Sequence, residues 1–191
     1  MKKILYWPGM GQSADILKYL KTELSKSYQL DIVNFEYDVG NLEPGKWKIL
    51  NDKFDWWIGI SLGASLLYYS YNYVAEAKRP NRLTIINPFS SREKLSIEKG
   101  FDLSKQWNFS PKEKNINVNK IELVASVYDF KIPTYHGIEL LNNANSTNKR
   151  IVFINSNHTI DKKEEQIELA KILLNEDEKN ERFNYCNIYK Q

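Results

Sequence analysis

Ser61 stands between two glycines where an apolar run, Phe54-Asp55-Trp56-Trp57-Ile58, gives way to a helix-forming segment. Gly59-Ile60-Ser61-Leu62-Gly63 is a G-x-S-x-G pattern in the strand, turn and helix setting that a nucleophile elbow needs. A serine on such a turn projects its hydroxyl above the sheet. Glycines on either side remove the Cβ atoms that would collide where strand and helix pass close together. The start of the following helix, which the pattern places over Ala64 to Ala77, offers N–H groups and a positive dipole end to a developing oxyanion. The same five residues also arise by chance, as a glycine-flanked strand end that contains a serine. Its partners elsewhere in the chain decide between the two.

A serine of this kind needs an acid and a histidine later in the chain, in that order. The chain has two histidines. His158 follows the strand-like run Arg150-Ile151-Val152-Phe153-Ile154 within Asn155-Ser156-Asn157-His158-Thr159. A loop leaving a strand end lets a base reach over the carboxyl edge of a sheet. His136, in Thr134-Tyr135-His136-Gly137, reads as a surface or helix-N-terminal residue. For the acid, Ile121 to Val127 reads as a buried strand leading into Tyr128-Asp129-Phe130-Lys131-Ile132-Pro133, with a helix start at the proline. Asp129 there could accept the Nδ1–H of His158 and hold its tautomer. Taken singly, Asp129 reads first as a turn or cap residue. Ser61, Asp129 and His158 in the right order, each at a strand end, favour the chemical reading.

Lys3-Ile4-Leu5-Tyr6-Trp7 forms a short opening strand, and Pro8-Gly9-Met10-Gly11-Gln12-Ser13 follows. At these residues the chain resembles the α/β-hydrolase superfamily, whose members often carry a His-Gly-x-Gly loop here. Pro8 occupies the usual histidine position, which leaves the backbone groups of the loop untouched. The resemblance implies that the N–H groups of Met10 and Leu62 form an oxyanion hole. The same glycines would also serve as a plain turn into the helix expected over Asp15–Lys26. The chain is loosely similar to short carboxylesterases that demethylate pimeloyl-carrier-protein esters. Gly9-Met10-Gly11, Tyr37-Asp38 and the Ser61 elbow carry that similarity, over roughly the first half. Asp38 reads as a turn residue first and a substrate contact second.

Stretches that must position these groups alternate between β and α character. Strands are expected near Ile4–Trp7, Gln29–Phe35, Trp56–Ile60, Leu83–Asn87, Ile121–Val127 and Ile151–Ile154. Helices are expected near Asp15–Lys26, Leu62–Ala77, Thr134–Asn143 and Lys163–Leu174. Such alternation predicts a mostly parallel sheet of about six strands with helices on both faces. Right-handed crossovers together with the resemblance give the strand order 2-1-3-4-5-6. The expected fold is thus a single α/β-hydrolase domain over residues 1–191.

The interval 88–119 breaks the rhythm. The resemblance implies a small cap or lid insertion at this place, and loops this long are usually functional or disordered. Phe89, Phe101, Trp107 and Phe109 offer apolar surface, either to line a substrate site or to pack the segment onto the sheet. Six Lys/Arg face four Asp/Glu within the interval. Residues 176–191 begin charged, end with aromatics, and read as a flexible tail or a clip that packs back.

With 191 residues the chain is one domain by length, and its formal net charge of +3 carries no basic stripe for nucleic acid. A single cysteine, Cys186, allows no internal disulfide and argues against a structural zinc. No apolar run approaches membrane-spanning length and the first strand starts at once, so a cytoplasmic location without a signal peptide is expected. The resemblance implies a serine hydrolase, of carboxylesterase or thioesterase type. It would cleave a small ester or acyl thioester, free or held on a carrier protein, through an acyl-enzyme. No metal or organic cofactor, no nucleic acid and no membrane partner is expected. The alternative is a hydrolase-like protein-binding module with vestigial activity.

Overall fold

The computed structural model describes residues 2–11, 17–32, 48–100, 102–103 and 109–174. Six strands form one sheet: β1 (Lys3–Trp7), β2 (Gln29–Ile32), β3 (Trp56–Ile60), β4 (Arg82–Ile86), β5 (Lys120–Tyr128) and β6 (Asn148–Asn157). Their order is β2-β1-β3-β4-β5-β6, and every neighbouring pair is parallel. The helices are α1 (Lys18–Leu24), α2 (Leu62–Ser70), α3 (Arg92–Lys99), α4 (Tyr135–Asn143) and α5 (Lys163–Leu174).

Alternation of side chains along the strands builds two cores. Leu5, Trp7, Trp57, Leu83, Ile85, Leu123 and Ala125 pack with Leu66 and Leu67 of α2 and Leu140 and Leu141 of α4. Ile4, Tyr6, Trp56, Ile58, Ile60, Ile86 and Val124 pack with Leu20 and Leu24 of α1 and with Leu169, Ala170 and Leu173 of α5. Helices therefore cover both faces, which is why the central strands read as continuous apolar runs.

Three expectations change in detail. The helix over Leu62–Ala77 stops at Ser70 and continues as 3-10 turns at Tyr71–Tyr73 and Glu76–Lys78. There the Tyr71 hydroxyl turns to donate to the Asn117 carbonyl at 2.7 Å. β6 extends beyond Ile151–Ile154 at both ends, because pairing with β5 carries through its polar flanks. The interruption over 88–119 holds α3, capped by Ser91 Oγ accepting the Lys94 N–H at 3.2 Å and closed by left-handed Gly100. With Leu95 as its one buried residue, α3 carries no apolar stripe to announce it. The expected tail over 176–191, the Tyr37–Asp38 loop, Phe101 and Trp107 lie outside the described residues.

Candidate active site

β3 delivers Ser61 into a backbone conformation of φ 54°, ψ −125°, and α2 starts at the next residue. That left-handed φ is a strained state for serine, held by its surroundings. The Ser61 N–H donates to the Ile86 carbonyl at 2.8 Å. A Cβ at Gly59 would sit 2.8 Å from Ala64 Cα. One at Gly63 would overlap the main-chain carbonyl oxygens of Trp7 and Pro8. The second contact presses the β1 loop against the start of α2.

The end of β5 is irregular between Ser126 and Tyr128, directly before Asp129. Irregularities of this kind re-aim the residue that follows. Asp129 then serves two neighbours. Oδ1 accepts the N–H groups of Lys131 and Ile132 at 2.8 and 2.9 Å, while Oδ2 lies 2.7 Å from His158 Nδ1. The turn role and the imidazole contact thus coexist on one carboxylate. His158 follows β6 directly, and Asn157 Oδ1 shapes that loop by accepting the N–H groups of Thr159 and Ile160. His158 Nε2 is 2.8 Å from Ser61 Oγ. With the Nδ1 proton facing Asp129, Nε2 is left as an acceptor for the serine hydroxyl. The Asp129 and His158 side chains are 2% and 9% exposed, whereas Ser61 is only partly buried. The chain of contacts can therefore activate an accessible hydroxyl inside a shielded setting.

Leu62 is the first residue of α2, so its N–H has no acceptor within the helix. Met10 sits on the loop pressed against Gly63 and is 54% exposed. Both amides belong to segments that meet beside Ser61.

His136 is not a surface residue. It lies in the first turn of α4 with no exposed area. Nδ1 accepts from the Ser90 N–H at 3.2 Å and is 2.8 Å from Ser90 Oγ, and Nε2 faces Glu98 Oε2 at 3.1 Å. The Ser90 hydroxyl also donates to Glu139, which Lys94 Nζ binds at 2.7 Å. The segment bearing Ser90 and α3 covers the start of α4, a contact that nothing near position 136 announces. Burial pushes the His136 imidazole below its usual range. Glu98 and Glu139 pull it back only in part, and Lys94 adds to the depression.

Of the two roles open to Phe89 and Phe109, lining a substrate site or packing the segment, they take the packing one: they are 1% and 2% exposed, with ring centroids 5.7 Å apart and Phe109 5.3 Å from Tyr69. They anchor the 88–119 interval to α2, where burying a ring outweighs leaving it open to water. Sequence reasoning missed Asn87, whose side chain bonds to Ser126 and to the His158 carbonyl. Its place after a strand and before Pro88 was the available signal.

Among the described residues, no group of three or more His, Cys, Asp or Glu side chains could hold a metal ion. No described helix is long and apolar enough to cross a membrane.

No protein-family model and no curated protein matches the sequence. Solved structures do match in shape. Mouse alpha/beta hydrolase domain-containing protein 10 is 14% identical with a TM-score of 0.67, over 90% of this chain and 87% of that one. The esterase domain of a Rhodothermus marinus protein is 12% identical with a TM-score of 0.67, over 90% and 84%. An enol-lactonase from Burkholderia xenovorans is 11% identical with a TM-score of 0.65, over 91% and 90%. The chain has the α/β-hydrolase fold.

Proposed function

We propose that the protein is a serine hydrolase that cleaves a small ester or thioester through an acyl-enzyme. Ser61 attacks the carbonyl carbon, and His158 takes the serine proton and passes it to the leaving group. Asp129 orients the imidazole and stabilises its charged form during transfer. The N–H groups of Met10 and Leu62 receive the oxyanion. Water then attacks the acyl-enzyme, with His158 again as base. The observation that carries this reading is the unbroken contact from Asp129 Oδ2 to His158 Nδ1 and from His158 Nε2 to Ser61 Oγ.

Apolar side chains stand open on two loops of the site, Met10 at 54% exposure and Phe130, next to Asp129, at 87%. They support an acyl group of modest apolar character, free or carried as a thioester on a protein. The interval 88–119 is proposed as the cap. In support, Lys99 Nζ at the end of α3 reaches the Phe130 carbonyl at 3.4 Å.

Fluorophosphonate labelling and turnover of p-nitrophenyl esters of increasing acyl length test the proposal. Wild-type protein labels, and Ser61→Ala abolishes labelling and lowers turnover by roughly a thousandfold or more. A wild-type chain that neither labels nor turns over any ester or thioester would instead fit a binding module.

A further inference from the structure

β4 ends between the strand that delivers Ser61 and the strand that leads to Asp129. The backbone there already joins both neighbours. The Ile86 carbonyl accepts the Ser61 N–H at 2.8 Å, and the Asn87 N–H donates to the Val124 carbonyl at 3.0 Å. The Asn87 side chain extends the connection to the base. Its Oδ1 accepts the Ser126 N–H at 2.8 Å, and its Nδ2 donates to Ser126 Oγ and to the His158 carbonyl oxygen, each at 2.8 Å. The Ser126 carbonyl in turn accepts the Asp129 N–H at 3.2 Å. One carboxamide therefore ties the segment carrying the acid to the main chain of the base.

Its partners leave the amide a single orientation. An N–H needs the carbonyl oxygen and a backbone carbonyl needs the NH2 group, so a flipped amide would set its NH2 against the Ser126 N–H and its oxygen against the His158 carbonyl. Position 87 also has φ 47°, a left-handed conformation that asparagine tolerates better than most residues. Glycine fits that backbone without supplying the amide. Aspartate supplies the shape without the donor. At 5% exposure, water cannot readily replace the missing bonds.

We infer that Asn87 is a positioning residue that fixes His158 relative to Asp129 through the His158 carbonyl. This rests on the serine-hydrolase reading of the same site. The imidazole must keep Nδ1 on Asp129 while Nε2 moves a proton between Ser61 and the leaving group. Asn87 holds the main chain from which the ring extends, and it touches no reacting atom.

Asn87→Asp tests this directly. It keeps an acceptor for the Ser126 N–H and can accept from Ser126 Oγ, while the donation to His158 is lost and a carboxylate oxygen faces that carbonyl instead. With p-nitrophenyl butyrate, kcat falls about 10- to 100-fold while KM stays within about twofold. The downfield proton resonance of His158 Nδ1–H broadens in the same variant. Asn87→Gly shows the same pattern and decides the matter if Asn87→Asp does not fold. Unchanged kcat and resonance overturn the inference, as does a loss shared equally by kcat and KM. Failure of both variants to fold also overturns it, since the amide is then a requirement of the fold. Wild-type protein that shows the resonance but takes no fluorophosphonate label and cleaves no ester or thioester refutes the hydrolase reading, and the resonance in the variants then decides the tie alone.

Discussion

Ser90 Oγ lies 2.8 Å from His136 Nδ1, the same separation as Ser61 Oγ from His158 Nε2. Each histidine also has a carboxylate on its other nitrogen, Glu98 at 3.1 Å and Asp129 at 2.7 Å. Distance alone does not distinguish the two sets. Accessibility and proton direction do. Ser90 and His136 have no exposed area, and the Ser90 N–H and hydroxyl are committed to His136 and Glu139. Ser61 is partly open at the carboxyl edge of the sheet, where a substrate carbonyl can reach it.

Replacing the histidines one at a time separates their roles. His158→Ala lowers kcat by about a thousandfold or more. His136→Ala leaves kcat within about threefold but destabilises the fold by about 2–4 kcal/mol, from the cavity and the unpaired Ser90 N–H and Glu98 left behind. Ester kinetics and thermal unfolding on both variants check this. An inactive His136→Ala beside an active His158→Ala would reverse the assignment.

His136 also links stability to pH. Its folded pKa lies below the unfolded value near 6.5, chiefly because burial disfavours the imidazolium. The unfolded chain therefore binds the proton first. This contribution to stability is intact above about pH 6.5 and declines as pH falls toward the folded pKa. Thermal unfolding between pH 5 and 8 measures it against His136→Gln, which removes that component of the slope. Identical slopes in the two proteins refute the linkage.

Gly63→Ala places a methyl group onto the carbonyl oxygens of Trp7 and Pro8. Backbone atoms cannot swing aside like a side-chain tip, so the β1 loop or α2 must shift. A loss of about 2–3 kcal/mol and a Tm lower by roughly 5–10 °C are expected, with a drop in kcat as the Met10 loop moves. An unchanged Tm would contradict this tight contact.

Away from the site, Glu122 is fully buried under Arg82, which holds it through Nε at 2.7 Å and Nη2 at 3.0 Å. Lys120 and Arg150 stand 3.4 and 3.5 Å from the same carboxylate. Glu122→Gln leaves this group of cations without its anion and costs about 3–5 kcal/mol. Chemical denaturation measures it, and a change below about 1 kcal/mol would show that the pairing is not needed for stability.

Much of this protein was legible in the chain itself. Glycines around Ser61, a proline after Asp129 and apolar runs bounded by turns are local signals, read by the backbone within a few residues. Strand order followed from the handedness of crossovers and the resemblance, and the three site residues fell at strand ends for the same reason. What escaped was decided by segments far apart in sequence. His136 is buried because Ser90 and α3 fold over it, and Phe89 and Phe109 became core because α2 offered them a surface. Asn87 acquired its contacts only when β5 and the His158 loop arrived beside it. Hydrophobic and turn patterns state what a segment prefers, but burial and partnership depend on what covers it, and only the folded chain decides that.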